Sequence, residues 1–410
     1  MATAGDWMTE APAARRLADP AEIRTRCHEL LLAGERGELS HFDLRTDRLP
    51  EIARLVAEVT RERYPDLDVP WHSRWRHFRA GGIDRWGRLA AGLDRDERMR
   101  VALDLLVVSV LLDAGAGDRW RYREAETGLL LARSEGLAVA SLALYASGAF
   151  SADPGNPLRC DAGALRGFTA GQLATAFQAG PATPLAGVDG RAAMLRALAA
   201  ALERRPEIFG TPPRIGGLGD WLRARPDRAG AAPLLATLAD AFGSIWPGRI
   251  TLQGTALGDV WHHRKLRRDD ETDQLVPFHK LLQWLLYSMA EPLDEAGIGL
   301  GEPEALTGLA EYRNGGLLVD GGVLVPRDHG IGAVALDPGA EPVVEWRALT
   351  VALLDRLAPL VRVTLGCNEA ALPLARLLEG GTWAAGRKLA VAARPGGGPP
   401  IRLASDGTVF

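Results

Sequence analysis

The chain has 410 residues, with 48 basic against 52 acidic side chains, a net charge of −4, and 47% apolar and 24% charged residues. That balance provides no broad positive field for a phosphodiester backbone, so polymeric DNA or RNA is excluded as the expected partner. Leu, Ala, Arg and Glu outnumber β-branched and aromatic residues, which favours helix over sheet. No Ser- or Pro-rich linker separates two cores, which points to a single large helical domain spanning 1–410, or two fused lobes with a boundary near 151–190. The three cysteines, Cys27, Cys160 and Cys367, lie far apart without C-x-x-C spacing, an arrangement of a reducing compartment and not of a zinc ribbon. The start of the chain carries acidic residues where a signal peptide needs an apolar core, and the apolar run Leu105 to Leu112 is too short for a bilayer. The expectation is a soluble, cytoplasmic protein with no membrane partner; oligomeric state is not legible.

In chain order, Asp19 to Gly34 reads as a short helix with Asp19 as N-cap, Pro20 in the first turn and Gly34 as the stop. A second helix is expected from Leu49 to Tyr64. Trp71 to Trp86 then packs three Trp, two His, one Phe and four Arg into sixteen residues with no helical or strand period. It serves either as an arginine-aromatic stack between helices or as a pocket wall for a planar or phosphorylated ligand.

Arg98 to Asp113 is strongly apolar, and a carboxylate ending a buried helix faces the negative end of the macrodipole, so Asp113 needs a cation or a ligand. The following segment is expected to be helical with an interruption at Gly136. Further helices are expected at Ala164 to Phe177, Gly190 to Arg204, Ala231 to Phe242, Trp346 to Arg362 and Ala370 to Leu378. Short Val-rich runs at Gly321 to Ala335 and Glu341 to Glu345 suggest a small sheet or hairpin, and the tail suggests extended strands around Asp406 and Gly407.

The glycine-rich nucleotide loops, the zincin motif and the nucleophile elbow are all missing, which removes the common dinucleotide, triphosphate, zinc-protease and α/β-hydrolase readings. His72 with His77, His262 with His263, and His279 lack the carboxylate-assisted spacing of a metal site, so neither metal nor cofactor is expected.

The stretch Leu275 to Pro326 asks two charges to live in poor solvent. Lys280 opens an apolar helix, and Glu311 sits among Leu, Ala and Gly about thirty residues later, beside Tyr312 and Arg313. Burying such charges costs several kcal/mol unless they are paired or used. The bland alternatives are a surface Glu311 paired with Arg313 and a Lys280 that snorkels to water.

Two resemblances weigh against the bland alternatives. YPDLDVPWHSRWRHFRAGGIDRW, LLDAGAGDRWRYRE, ARSEGLAVASLALYASGAF and SDGTVF resemble the uracil-catabolism family of fungi and bacteria, whose genes accompany a cyclohydrolase-like ring-opening enzyme and a uracil phosphoribosyltransferase. VPFHKLLQWLL followed by LTGLAEYRNGGLLVDGGVL is similar to the queuosine-nucleoside salvage glycosylases: Phe278 and Lys280, then Ala310, Glu311, Tyr312 and Arg313, then Gly322, Val323 and Leu324, with glutamate in place of that family's aspartate. The run ending at Asp113 is similar to the same family's apolar helix.

These resemblances imply a mainly α, multi-helical protein with a DNA-glycosylase-like core and a few short strands near the C-terminus. They imply an N-ribosyl hydrolase acting on a ribosylurea-type, nucleoside-like small molecule or its 5′-phosphate. Glu311, Lys280 and Asp113 would be catalytic, with His72, Arg74, Trp75, Arg76, His77, Trp120, Phe278, Tyr312 and Arg313 around the substrate. The competing readings are a metal-dependent amidohydrolase attacking the ureido carbonyl and a non-catalytic partner of the ring-opening enzyme.

Overall fold

The structure is a computed structural model and describes residues 13–246, 249–405 and 407–408. The protein is mainly α-helical, as its composition indicates. The described residues divide into two compact units, the first made of 13–72, 249–283 and 304–404, the second of 73–246, 284–303, 405 and 407–408. Among the described residues no helix is long and apolar enough to cross a membrane.

In the first unit the helix Glu341–Leu365 is the central element, packed on Pro20–Glu35 and Leu49–Arg63. Its residues from Val343 to Leu354 are all buried, so it is apolar around its whole circumference apart from Glu345, Arg347 and Thr350. Each fully buried Leu or Val there contributes roughly 1.5–3 kcal/mol of transfer free energy, which leaves its few polar residues as the costly and informative ones.

Asp19 caps the helix Pro20–Glu35 by accepting the N–H of Ala21 at 2.7 Å, as its sequence indicates. The helix does not stop at Gly34. A Cβ at Gly34 would lie 2.6 Å from Leu44, so this glycine admits the strand Phe42–Leu44 against the helix, and the left-handed turn falls at Gly37.

In the second unit the helix Arg95–Leu111 is capped by Asp94 and is buried on every side from Val101 to Leu111. It packs against Arg133–Ala146, inside which Gly136 lies without breaking the helix. A Cβ at Gly136 would lie 2.9 Å from Trp120, so the glycine is there for close packing. Val188–Arg204 packs on Ala162–Arg166, Ala170–Ala176 and Ala231–Phe242. The segment 151–190 lies within this unit.

The strands are not concentrated near the C-terminus. Among the described residues, four two-stranded antiparallel pairs are spread along the chain. Leu324–Pro326 pairs with Phe42–Leu44, Leu44 opposite Leu324, and Val260–His262 pairs with Leu275–Pro277. The run Glu341 to Glu345 is helical, because Pro342 suits a first helical turn and the apolar sequence continues unbroken behind it. In the tail, Leu403 makes one bridge to Leu336, and the expected turn residue Asp406 lies outside the described residues.

Candidate active site

In the first unit the polar residues of this apolar framework gather around the start of the helix Lys280–Glu295. Asp259 organises that corner. Its Oδ2 accepts the backbone N–H of Lys280 at 3.0 Å, and its backbone carbonyl accepts from the N–H of Phe278 at 2.9 Å. Arg347 donates to both carboxylate oxygens at 2.8 Å, and the Trp261 indole N–H adds a third donor at 2.6 Å. Burial alone would raise the Asp259 carboxyl, but the Arg347 guanidinium and these donors reverse that and hold it well below the usual carboxylate range. The guanidinium carbon of Arg347 also sits 4.0 Å from the centre of the Phe278 ring, a cation-π contact that holds that ring.

Glu311 is the N-cap of the helix Tyr312–Asp320. Its Oε2 accepts the N–H of Arg313 at 2.8 Å and its Oε1 that of Asn314 at 2.5 Å. The side chain is 8% exposed and Lys280 is 7% exposed, so neither bland alternative holds: Glu311 is not a surface group bonded to the Arg313 guanidinium, and Lys280 does not reach out to water. Burial raises the Glu311 carboxyl above its ordinary value. The Arg313 N–H, the Lys280 ammonium, the Asn314 N–H and the His72 imidazole each oppose that rise. A carboxylate offers about four lone-pair positions, so two remain beyond its cap bonds.

His72 closes this group. It is 5% exposed, and its Nδ1 lies 2.9 Å from Oε2 of Glu379. The other oxygen of Glu379 accepts from Arg63 Nη2 at 3.0 Å and from the Tyr64 hydroxyl at 3.2 Å. Glu379 stands on a π-helical turn, Leu378–Thr382, a form of backbone met often at functional sites. Arg313 carries its guanidinium over the rings of Tyr312 and Trp383, donates to the Gly397 carbonyl at 2.9 Å, and has a buried Nε without a hydrogen-bond partner.

Asp113, Arg74, Trp75, Arg76, His77 and Trp120 belong to the second unit. Asp113 has the cation its position demands: Arg74 Nη1 donates to its Oδ1 at 2.6 Å, and the Ser134 hydroxyl to its Oδ2 at 3.0 Å. Arg74 is fully buried, donates also to Ser109 and lies over Trp284 and Phe78, so this part of the Trp71 to Trp86 cluster forms an arginine-aromatic stack. Arg74 Nη1 reaches His77 Nδ1 at 3.3 Å, and Arg76 pairs with Glu291. Trp75 and Trp120 spend their indole N–H groups on the carbonyls of Ser288 and Phe177.

Among the described residues His41, Glu341 and Glu345 form the group whose ligating atoms lie within 4.8 Å of one another. Glu345, fully buried, already accepts the N–H groups of His41 and Phe42 on Oε1 and faces His263 Nε2 at 3.2 Å on Oε2. Arg264 holds Glu341 at 2.9 Å. Glu345 is thus fully engaged, whereas Glu341 Oε1 is ion-paired with Arg264 but accepts no hydrogen bond.

Sequence reasoning missed Asp259, Arg347 and Glu379. Asp259 and Glu379 lie in segments without period. The pair Gly380-Gly381 after Glu379 was the available signal, because a Cβ at Gly381 would stand 2.5 Å from both Val56 and Thr60.

These features define a mainly helical protein whose first unit buries a carboxylate at one helix N-terminus, an ammonium at the start of another helix and an imidazole paired with Glu379. The chain belongs to the DUF1688 family, described as a protein of unknown function, whose model matches residues 16–410. It is 39% identical over 400 residues to Protein urg3 of Schizosaccharomyces pombe, covering 95% of this chain and 97% of that protein. It is 37% identical over 413 residues to Uracil catabolism protein 4 of Lachancea kluyveri, covering 91% and 93%.

Proposed function

We propose that this protein acts in uracil catabolism as an N-ribosyl hydrolase, cleaving the bond between ribose and the ureido nitrogen of a ribosylurea-type compound or its 5′-phosphate. The name of the Lachancea kluyveri relative supports the pathway, and the likeness to that protein extends over most of both chains. The observation that carries the reaction type is Glu311: a buried carboxylate held at a helix N-terminus, with the ammonium of Lys280 and the imidazole of His72 acting on it.

Urea is a poor leaving group, so the C–N bond breaks through a sugar with oxocarbenium character that an adjacent carboxylate stabilises. Glu311 stabilises that charge and takes a proton from the attacking water. Lys280 favours the ionised form of Glu311, while Phe278, Tyr312 and Arg313 are assigned to substrate binding. This reading rests on residues of the first unit; Asp113 and Arg74 pair with each other in the second.

The test is to incubate the protein with ribosylurea, ribosylurea 5′-phosphate and uridine and to assay free ribose, ribose 5-phosphate and urea. Release from a ribosylurea substrate, abolished in Glu311→Gln, is expected. Release by Glu311→Gln at the wild-type rate, or no release by the wild type, rejects the reading.

A further inference from the structure

We propose that His72 is the general acid of this site and that Glu379 is the positioning residue that fixes its proton; the inference rests on the hydrolase reading of Glu311. The Nδ1 of His72 is 2.9 Å from a carboxylate oxygen of Glu379, and both side chains are buried. An ionised carboxylate only accepts hydrogen bonds, so Nδ1 carries a hydrogen and Nε2 is the atom that gains and loses a proton.

The surroundings hold Glu379 in this task from several sides. Arg63 donates to its side chain through Nη2 and to its own backbone carbonyl and that of Gly380 through Nη1. The Tyr64 hydroxyl binds the same oxygen as Arg63 Nη2, which leaves the other oxygen to His72. Glycines at 380 and 381 let the π-helical turn lie directly on the helix Leu49–Arg63. A histidine that served packing alone would not need a carboxylate so firmly built. The imidazole also acts electrostatically on Glu311, as does Lys280.

The chemistry closes with these groups. As the C–N bond breaks, its electron pair goes to the ureido nitrogen, which takes the proton from Nε2 of His72. Water adds to the anomeric carbon and gives its proton to Glu311. Transfer of that proton through solvent to His72 restores the starting state, and the sum is substrate plus water to ribose and urea.

Leaving-group dependence tests this. Ribosylurea needs protonation on departure; 4-nitrophenyl riboside, whose phenolate leaves unaided, does not. His72→Asn is expected to lower kcat on ribosylurea by about 10²–10⁴-fold and on the nitrophenyl riboside by less than about tenfold. Glu379→Gln should lower kcat on ribosylurea while leaving KM unchanged, whereas a merely structural role would disturb both. Equal losses on both substrates, or no loss on ribosylurea, overturn the proposal.

If the wild type cleaves only ribosylurea, the loss of kcat in His72→Asn decides, and an unchanged kcat overturns the proposal. Should the asparagine variant fail to fold by thermal melting, His72→Gln replaces it. A wild type inactive on ribosylurea and on its 5′-phosphate defeats the hydrolase reading and this inference with it, whereas an active wild type with an indifferent His72 defeats only the inference.

Discussion

Arg347 grips Asp259 with two parallel hydrogen bonds of 2.8 Å, in a unit where the same carboxylate also caps the helix that begins at Lys280. The side chain of Arg347 is 3% exposed and that of Asp259 16%. Removing one member of such a pair strands the other. Arg347→Ala is expected to lower stability by about 3–5 kcal/mol, and the double variant Arg347→Met with Asp259→Asn should recover part of that loss. The pH sign follows from the depressed Asp259 carboxyl. Its stabilisation is present above the ordinary value of 3.8 and is lost as pH falls through the lower folded value. Chemical denaturation from pH 3 to 7 checks both: the advantage of the wild type over Asp259→Asn should shrink below about pH 4, and a constant difference would refute the assignment.

Glu311 carries the opposite sign. Burial raises its carboxyl above 4.5. Its contribution to stability is thus present below the unfolded value and is lost as pH rises through the folded one, the group being costlier to bury once ionised. Glu311→Gln should therefore gain on the wild type in thermal stability as pH rises, offset by a cap loss of about 1 kcal/mol. Activity should move the other way, since the ionised form is the working one. The acid limb of kcat/KM in the wild type is expected above 4.5, and a limb at or below 4.5 would show that Glu311 is not the group titrating.

The sequence carried the helices well at Asp19, whose cap precedes Pro20, and at Ala231 to Phe242, while the cap at Asp94 and the start of its helix at Arg95 went unread. It misread Gly34 and Gly136 because a glycine admitted for close packing looks the same in sequence as one that ends a helix. The candidate site was legible at Lys280 and Glu311, where charge falls inside an apolar run. It was not legible at Asp259 and Glu379, whose partners Arg347 and His72 lie 88 and 307 residues away along the chain. Long-range pairing of this kind leaves no local period. The same holds for Leu324–Pro326, whose partner strand lies near the start of the chain.

Close approach of helices yields a prediction of its own. A Cβ at Gly386 would stand 2.2 Å from the Arg313 carbonyl oxygen, where the helix Trp383–Ala393 crosses Tyr312–Asp320. A Cβ at Gly381 would meet the Val56 carbonyl at 2.7 Å. Backbone atoms cannot swing away as side-chain ends do, so each Gly→Ala change forces the helices apart. A loss of about 1–3 kcal/mol is expected for each, read as a fall in Tm. Gly381→Ala should in addition reduce sugar release by displacing Glu379, whereas Gly366→Ala, at a left-handed C-cap with open space around it, should lower Tm without touching activity.

The group of His41, Glu341 and Glu345 separates the hydrolase reading from a metal-dependent amidohydrolase. A divalent cation there would have to displace the Arg264 guanidinium from Glu341 and compete for a Glu345 carboxylate already satisfied by two backbone N–H groups and His263. Transition-metal ligation also asks for lone pairs that these donors occupy on Glu345. Metal analysis of the purified protein should find no stoichiometric zinc or manganese, and prolonged chelation should leave both Tm and sugar release unchanged. Glu345→Gln is expected to lower stability, because one of its oxygens becomes an amide donor facing groups that themselves donate. Stoichiometric metal lost together with activity in Glu345→Gln would reverse this assignment and favour attack on the ureido carbonyl.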